Sequence, residues 1–416
     1  MRHTSLGWLT GKTLAMFAIA AMLVNGAWAA SNGKMVYSFS GGNDGGDPAT
    51  SLTFDAAGNG YGTTVNGGNA GGFGTVFELK RLSSGKFQEI VLYSFSGGVD
   101  GKNPYGGVVL DGSGNLYGTT VAGGSGGVCS GDGCGVVFKL TNNNGNWTES
   151  VLYNFTGGND GFGPGGGVVF DKAGNLYGTT PDGGQFSEGV VYELSLQGNT
   201  WTQTVIHAFT GGNDGAVGSL GSLLLDASGN FYGVSELGGA HQAGTAFRLS
   251  PIAGGKWKFT TLYSFGGQPD AAFPYGGLIT DGKNNFYGTT YYGGANGVGA
   301  VFKLDLTAKQ ESVLYSFAEG NDGGYPTSTL AFDSVGNMYG TTSMGGFPAC
   351  DCGTVFELSP VRGHDTWTET VLHRFKEKPD GGYPYYGLNA DPSGNLFSTT
   401  ASGGNSEAGI VFEFTP

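Results

Sequence analysis

Seven aspartates recur at a fixed spacing and are the sharpest polar feature of the sequence. Each stands five residues after a phenylalanine that ends a Leu-Tyr-Ser-Phe-like segment, and they are Asp44, Asp100, Asp160, Asp214, Asp270, Asp322 and Asp380. A carboxylate in a glycine-rich turn accepts hydrogen bonds from nearby backbone N–H groups. A rim of carboxylates could also gather a cation such as calcium. Because one ligand site seldom needs seven identical groups, we interpret the ring as mainly structural. We expect no cofactor, and calcium is the alternative that we do not favour.

A second candidate site consists of tyrosines that vary from one repeat to the next. They flank prolines or follow a threonine pair, and they are Tyr105, Tyr275, Tyr291, Tyr292, Tyr325, Tyr383, Tyr385 and Tyr386. Flat aromatic rings beside hydrogen-bonding groups suit the apolar face of a sugar. Packing of loops onto the fold explains these residues equally well. We treat them, together with His241, as candidate ligand-binding residues.

Residues suited to enzyme chemistry are few. His241 is the one histidine in a candidate binding loop, and Glu236 precedes it by five residues. We interpret the two as a solvated pair, because one acid–base candidate without a nucleophile, an oxyanion donor or a metal cluster does not make an active site. No catalytic residue and no metal site is predicted. Enzyme activity stays open but is not favoured.

The four cysteines form two local pairs, Cys129 with Cys134 and Cys350 with Cys352. In an oxidising compartment, two loop disulfides are the default. The alternatives are free thiols and a zinc site, which would need the two pairs to meet in space. The repeat described below places the pairs in distant units, so we expect disulfides.

The first 29 residues have the pattern of a secretory signal peptide. Arg2 and Lys12 precede and flank an apolar core, and Ala27-Trp28-Ala29 offers a cleavage site. Removing both cations leaves 17 basic and 33 acidic residues, a net charge of −16 for residues 30–416. Such a chain repels nucleic acid and anionic lipid. We therefore expect an exported protein in the periplasm, the medium or the cell surface, with no nucleic-acid partner and no membrane insertion after signal removal.

The chain also repeats itself seven times. The anchor phenylalanines recur at intervals of 52 to 60 residues, at Phe39, Phe95, Phe155, Phe209, Phe265, Phe317 and Phe375. Each unit carries four strand-like segments: strand A before Asp-x-x-Gly-Asn, strand B as Leu-Tyr-Gly-Thr-Thr, strand C as Gly-Thr-Val-Phe and strand D as Leu-Tyr-Ser-Phe. Glycine at about 20% of residues excludes a mostly helical fold. Four antiparallel strands repeated seven times predict an all-β, seven-bladed β-propeller over residues 30–416.

The two ends of the chain predict how the ring closes. The sequence after residue 29 opens with a strand D, Val36 to Phe39, whereas the last unit ends with a strand C, Gly409 to Phe414. The first strand D can therefore complete the last blade. Closure of this kind removes the exposed sheet edges of an open array.

These motifs carry a family resemblance. The order Asp-x-x-Gly-Asn, Leu-Tyr-Gly-Thr-Thr, Gly-Gly, Gly-Thr-Val-Phe-x-Leu and Leu-Tyr-Ser-Phe resembles the GloVer tandem repeat of bacterial exported proteins called "choice-of-anchor". The resemblance covers essentially all of residues 30–416. It implies export and a repeat architecture, but no agreed activity or catalytic residues. Only Thr415 and Pro416 follow Phe414, so we expect no sorting tail.

The sequence thus favours a non-catalytic binding module whose ligand is an extracellular glycan or a protein. The alternatives are a polysaccharide lyase or hydrolase using the same propeller face, and a structural component of the cell surface. The long loops from strand D to strand A and from strand B to strand C mark that face. The sequence gives no indication of the oligomeric state.

Overall fold

A computed structural model describes residues 33–129, 131–218 and 221–416. The described chain is almost entirely β-structure, and its one helical element is the single 3₁₀ turn Gly320–Asp322. The proposed signal segment, residues 1–29, lies outside the described residues and stays a prediction.

Seven antiparallel sheets form the blades, and each has the strand order A, B, C, D. The A strands are Thr53–Phe54, Val109–Leu110, Val168–Phe170, Leu224–Leu225, Ile279–Thr280, Ala331–Phe332 and Asn389–Ala390. The B strands are Gly60–Asn66, Leu116–Thr120, Leu176–Thr180, Phe231–Leu237, Asn285–Gly293, Met338–Thr342 and Leu396–Thr400. These are the strands expected from the β-branched and aromatic residues between glycine turns.

The outer half of each blade is longer than the inner half. The C strands are Thr75–Arg81, Val136–Asn143, Val190–Gln197, Thr245–Ile252, Ala300–Asp305, Thr354–Pro360 and Ile410–Phe414. The D strands are Phe87–Ser94, Asn146–Asn154, Thr200–Ala208, Lys256–Ser264, Gln310–Ser316, Trp367–Arg374 and, for blade 7, Lys34–Ser38. Short extra strands, Gly46–Pro48, Ala216–Gly218, Ala271–Pro274, Gly381–Gly382 and Ser402–Gly403, extend some blades at the end where strand D leads to strand A. The predicted seven-bladed propeller is confirmed.

The ring closes as the sequence predicts. Lys34–Ser38 pairs antiparallel with Ile410–Phe414, so that Lys34 lies opposite Glu413 and Ser38 lies opposite Ile410. The first strand of the described chain is thereby the outer strand of the last blade. No covalent bond joins the two segments, so their hydrogen bonds and packing hold the ring shut.

The core lies between neighbouring blades. Each anchor phenylalanine is buried and contacts an aromatic ring of strand C in the next blade. Six of these pairs are edge-on, as Phe95 is against Phe138 with centroids 5.1 Å apart, and Phe375 is tilted against Phe412. Strand B carries a glycine here because a Cβ atom on Gly118 would lie 2.6 Å from the Phe138 ring. The repeated Gly and Phe are therefore packing residues.

Both cysteine pairs are disulfides, Cys129–Cys134 and Cys350–Cys352. They lie in the loops from strand B to strand C of blades 2 and 6, so the predicted pairing is confirmed. No helix in the described ranges has the length and apolar character needed to span a membrane.

Candidate functional site

A cavity of about 790 Å³ runs along the centre of the ring. Its wall consists mainly of the A strands and the glycine-rich segments just before them, with a few residues from the ends of B strands. Every blade contributes residues such as Thr53, Val109 and Asn389. Small side chains and bare backbone leave this space open. A volume in this range suits a small molecule or one to a few sugar rings of a longer chain.

Tyrosines surround the mouth of the cavity, on the face that carries the loops from strand D to strand A. Six of the eight tyrosines selected from the sequence line the cavity: Tyr105, Tyr275, Tyr291, Tyr292, Tyr385 and Tyr386. The other two lie beside them, since the ring of Tyr325 is 5.1 Å from that of Tyr291 and the ring of Tyr383 stacks on Tyr385 at 6.4 Å. Residues from blades 2, 5, 6 and 7 thus meet at one opening, although they are far apart in sequence.

The mouth combines accessible rings with buried ones. Tyr105, Tyr292 and Tyr385 expose 41%, 45% and 38% of their surface, whereas Tyr275 and Tyr386 are half-buried. Burial and the nearby charge of Glu236 raise the pKa of Tyr275 to about 12. The Tyr275 phenol is therefore neutral at physiological pH and can donate or accept a hydrogen bond.

The structure places Glu236 and His241 on different elements. Strand B of blade 4 extends to Leu237, so Glu236 lies on a strand rather than in a loop, and its side chain is half-buried in the cavity lining. His241 is exposed and is not among the described lining residues. The interpretation of a solvated pair is therefore wrong for Glu236. The strand runs through the buried segment Phe231 to Ser235 and continues to Leu237, before the glycine pair Gly238-Gly239.

The seven repeat aspartates lie away from the cavity, where each strand D turns toward the next strand A. Asp160 accepts hydrogen bonds from the Tyr153 hydroxyl at 2.9 Å, the Thr156 backbone N–H at 2.8 Å and the Thr156 hydroxyl at 2.5 Å. A tyrosine or histidine of strand D contacts the aspartate in every blade, with distances between 2.9 and 3.1 Å. This geometry is that of a turn acceptor. In the described residues, no group of three or more His, Cys, Asp or Glu is arranged to hold a metal ion.

We predict that Asp160→Asn and Asp322→Asn each lower the free energy of unfolding by about 1 to 3 kcal/mol, because an amide leaves donors of the turn unpaired. Urea denaturation in calcium and in chelator measures this effect, with Asp365→Asn, an exposed aspartate in a turn between strands C and D, as the control. The loss is expected to be the same with and without calcium. A calcium-dependent rise in the stability of the parent that shrinks in the two variants would show that the ring binds cations.

A second set of acidic residues, not selected from the sequence, faces these aspartates from the adjacent blade. Six residues before the anchor phenylalanine, strand D carries Glu89, Glu149, Glu311 or Glu369. One carboxyl oxygen of each is buried with no hydrogen-bond partner among the described residues. Burial, and then the charge of the facing aspartate, raise the pKa of the first two and of Glu369 to about 7, and that of Glu311 to about 8. Their fixed distance from the anchor phenylalanine is a signal that the sequence does contain.

Comparison with known families and structures agrees with the repeat and the ring. The profile described as Gloeobacter/Verrucomicrobia repeat matches residues 125–349 and 219–416, well over half of the chain. The resemblance predicted from the motifs is thereby confirmed. No curated protein matches the sequence significantly.

Solved structures share the fold at low sequence identity. A hypothetical selenium-binding protein from Sulfolobus tokodaii has a TM-score of 0.54 at 9% identity, over 80% of this chain and 82% of that chain. The GH74 xyloglucanase from Xanthomonas campestris has a TM-score of 0.52 at 14% identity, over 92% of this chain and 55% of that chain. The chain therefore spans about half the length of that enzyme. At such identities the likeness extends to the propeller fold alone.

Proposed function

Because the chain belongs to the Gloeobacter/Verrucomicrobia repeat family, we propose that this propeller is an exported, non-catalytic binding module that holds an extracellular glycan at the mouth of its central cavity. The observation that carries the proposal is the cluster of unit-specific tyrosines around that mouth. A position that served only blade packing would hold an aromatic residue in each unit, as the second position of Leu-Tyr-Gly-Thr-Thr does, with Tyr in six blades and Phe397 in the seventh. The tyrosines at the mouth differ from blade to blade, yet the fold gathers them at one opening.

The chemistry of the mouth suits a sugar chain. The exposed rings of Tyr105, Tyr292 and Tyr385 can cover the apolar faces of pyranose rings. Their hydroxyl groups, Ser51, Asn389 and the bare backbone at Gly276 and Gly387 offer hydrogen-bond partners inside the cavity. The opening toward solvent lets a polymer enter by one segment while the rest stays outside.

The same lining argues for binding over cleavage. Glycoside hydrolases generally place two carboxyl groups on either side of the scissile bond. Among the described residues that line the cavity, Glu236 is the one carboxylate. The likeness to a xyloglucanase concerns the fold, and a polysaccharide-active enzyme stays the alternative function.

A panel of soluble polysaccharides tests the proposal, with binding measured by isothermal titration calorimetry and cleavage by reducing-end release and by absorbance of unsaturated products. We predict binding without chain cleavage. Tyr291→Ala and Tyr385→Ala are each expected to weaken binding at least tenfold, a change of about 1.4 kcal/mol. Phe186→Ala is the matched control, because Phe186 is an exposed aromatic residue in the B-to-C loop of blade 3, outside the described cavity lining.

Three results would contradict this function or its site. Cleavage of a polysaccharide that is lost in Glu236→Gln would favour the enzyme. Failure to bind any glycan would favour a protein ligand or a structural role at the cell surface. Equal losses in the tyrosine variants and in Phe186→Ala would place the binding site elsewhere on the face.

Export rests on three supports. The family match and the two disulfides both favour an oxidising compartment outside the cytoplasm, and residues 1–29 have the signal-peptide pattern. We propose that the protein works in the periplasm, in the medium or at the cell surface.

A further inference from the structure

The mouth of the cavity has negative charge and no described positive charge. Glu236 lies in the lining, and none of the described lining residues is lysine, arginine or histidine. Burial raises the pKa of Glu236, because the partly dry surroundings disfavour the charged carboxylate. A cation brought by a ligand would relieve this cost, whereas an anionic ligand would increase it.

A second carboxylate acts on the tyrosines from outside the described cavity lining. Asp47 lies close enough to Tyr105, Tyr385 and Tyr386 for its charge, after burial, to contribute to the raised pKa of all three phenols. Its own pKa is also raised by burial. The side-chain amide of Asn66, 3.5 Å away, is a weak neutral contact for the Asp47 carboxylate. Two carboxylates, Glu236 of blade 4 in the described lining and Asp47 of blade 1 outside it, therefore act on the tyrosines of the mouth.

The tyrosines add the faces of their aromatic rings. The ring of Tyr291 is 4.7 Å from that of Tyr292, 5.1 Å from that of Tyr325 and 6.3 Å from that of Tyr275. Tyr291 and Tyr292 meet edge to face at 87°, whereas Tyr291 and Tyr325 are inclined at 46°, and the 45% exposure of Tyr292 leaves part of this cluster accessible to a ligand. The face of an aromatic ring attracts a cation within about 6 Å of its centroid.

We propose that the group bound at this mouth is an organic cation, a primary or quaternary ammonium. This inference rests on the proposed glycan-binding function and narrows it to polymers that carry free amino groups, such as a deacetylated amino-sugar chain. The carboxylate of Glu236 pairs with the ammonium, and the tyrosine faces surround its weakly hydrated side. Neutral and acidic glycans lack the positive charge that the carboxylates of Glu236 and Asp47 favour.

Two matched pairs of ligands test the charge. The first pair is a glucosamine hexamer and the N-acetylglucosamine hexamer, which differ in the amine and share chain length. The second is choline and its neutral isostere 3,3-dimethylbutan-1-ol, which carry no sugar. We expect the glucosamine hexamer to bind at least tenfold more tightly than the acetylated one, and choline at least fivefold more tightly than its isostere, by calorimetry and ligand-observed NMR.

Two variants test whether the charge that favours the ammonium is the carboxylate at the mouth of the cavity. Glu236→Gln is expected to weaken the glucosamine hexamer at least fivefold while the thermal midpoint of the variant stays at or above the parent value, because the neutral amide avoids the cost of the buried charge. Glu188→Gln, which changes a carboxylate of the blade 3 B-to-C loop outside the described lining, is expected to bind as the parent does. Equal loss in both variants would reduce the effect to the general negative charge of the protein and overturn the inference.

The outcomes separate this inference from the function on which it rests. Tight binding of the acetylated hexamer, equal to or above that of the amine, overturns the inference and leaves glycan binding intact. Choline binding without any glycan binding supports the cation site and contradicts the glycan function. Equal binding of choline and its neutral isostere overturns the inference.

Discussion

Removal of residues up to Phe39 is expected to lower the free energy of unfolding by about 5 kcal/mol or more, because a whole outer strand and a buried aromatic are lost. Phe39 has no exposed surface, and its ring lies 5.2 Å from that of Phe77 in blade 1. The deletion also exposes the edge of Ile410–Phe414, which in the intact protein pairs with Lys34–Ser38. An uncovered edge strand invites pairing between molecules.

Urea denaturation of the truncated chain measures the loss, and analytical ultracentrifugation detects association through the exposed edge. Phe39→Ala alone is expected to cost about 3 to 5 kcal/mol, as for other buried aromatics. Met35→Ala in the same strand is the control, because Met35 exposes 45% of its surface. Unchanged midpoints in the truncated chain would contradict ring closure by the first strand.

The second large effect concerns pH. We expect the protein to be more stable at pH 5 than at pH 8, by about 3 kcal/mol in total, because partly exposed carboxyls such as Glu89 and Glu311 each contribute about 1 kcal/mol after solvent screening. Their pKa values of about 7 to 8 in the folded protein lie above the ordinary value of 4.5. Between these values the folded state binds more protons than the unfolded state. Stability therefore falls as pH rises from about 4.5 through 8.

Two kinds of residue oppose this fall in stability and limit the pH range in which it can be measured. Burial lowers the pKa of His207, which makes the fold less stable as pH falls through the ordinary histidine range. The effect of this one histidine is smaller than the combined effect of the four glutamates. Turn aspartates such as Asp111 have a lowered pKa and lose their stabilising contribution in stronger acid. The comparison therefore belongs between pH 5 and pH 8.

The chain itself supplies the design for the test. Blade 3 has Gln203 at the position of these glutamates, and its amide donates to the backbone oxygen of Asp160 at 3.2 Å. Replacing Glu89, Glu149, Glu311 and Glu369 by glutamine is expected to flatten the stability profile between pH 5 and pH 8. The exposed Glu407→Gln serves as the control and keeps the slope of the parent. A parent whose denaturation midpoint rises with pH would show that the four carboxyls are ionised in the fold.

The seven repeats explain why the sequence predicts the strands, the closure of the ring and the disulfides. Period-two strands bounded by glycine recur seven times, so an error in one unit is corrected by the other six. Because the repeat begins with a strand D, which ends at Phe39, and finishes with a strand C, which ends at Phe414, the sequence also predicts that these two strands pair and close the ring. The disulfides follow from the same count, because the units that hold Cys129 and Cys350 are distant.

The site is less predictable because it depends on distances across the ring. Tyr105 and Tyr385 are 280 positions apart, and their shared place at the mouth follows only from the closed propeller. Glu236 is misassigned to a loop because a glycine pair follows it closely, whereas its strand continues to Leu237. The sequence identifies the tyrosines because they occur in some units and not in others, but it does not show that Glu236 lies beside them with no cationic residue in the described lining.

The pairing at the closing blade also determines how the molecule faces when it is held by an end. Lys34 and Glu413 lie together at the end of blade 7 that corresponds to the turns from strand C to strand D in the other blades. This end is opposite the rim that bears the tyrosines. Both Gly33 and Pro416 therefore give handles on the far side of the ring from the cavity mouth. A molecule immobilised through either handle presents its tyrosines outward, to a sensor solution or to a neighbouring surface. Coupling through Lys378, in the loop that follows Phe375, would turn that rim toward the support.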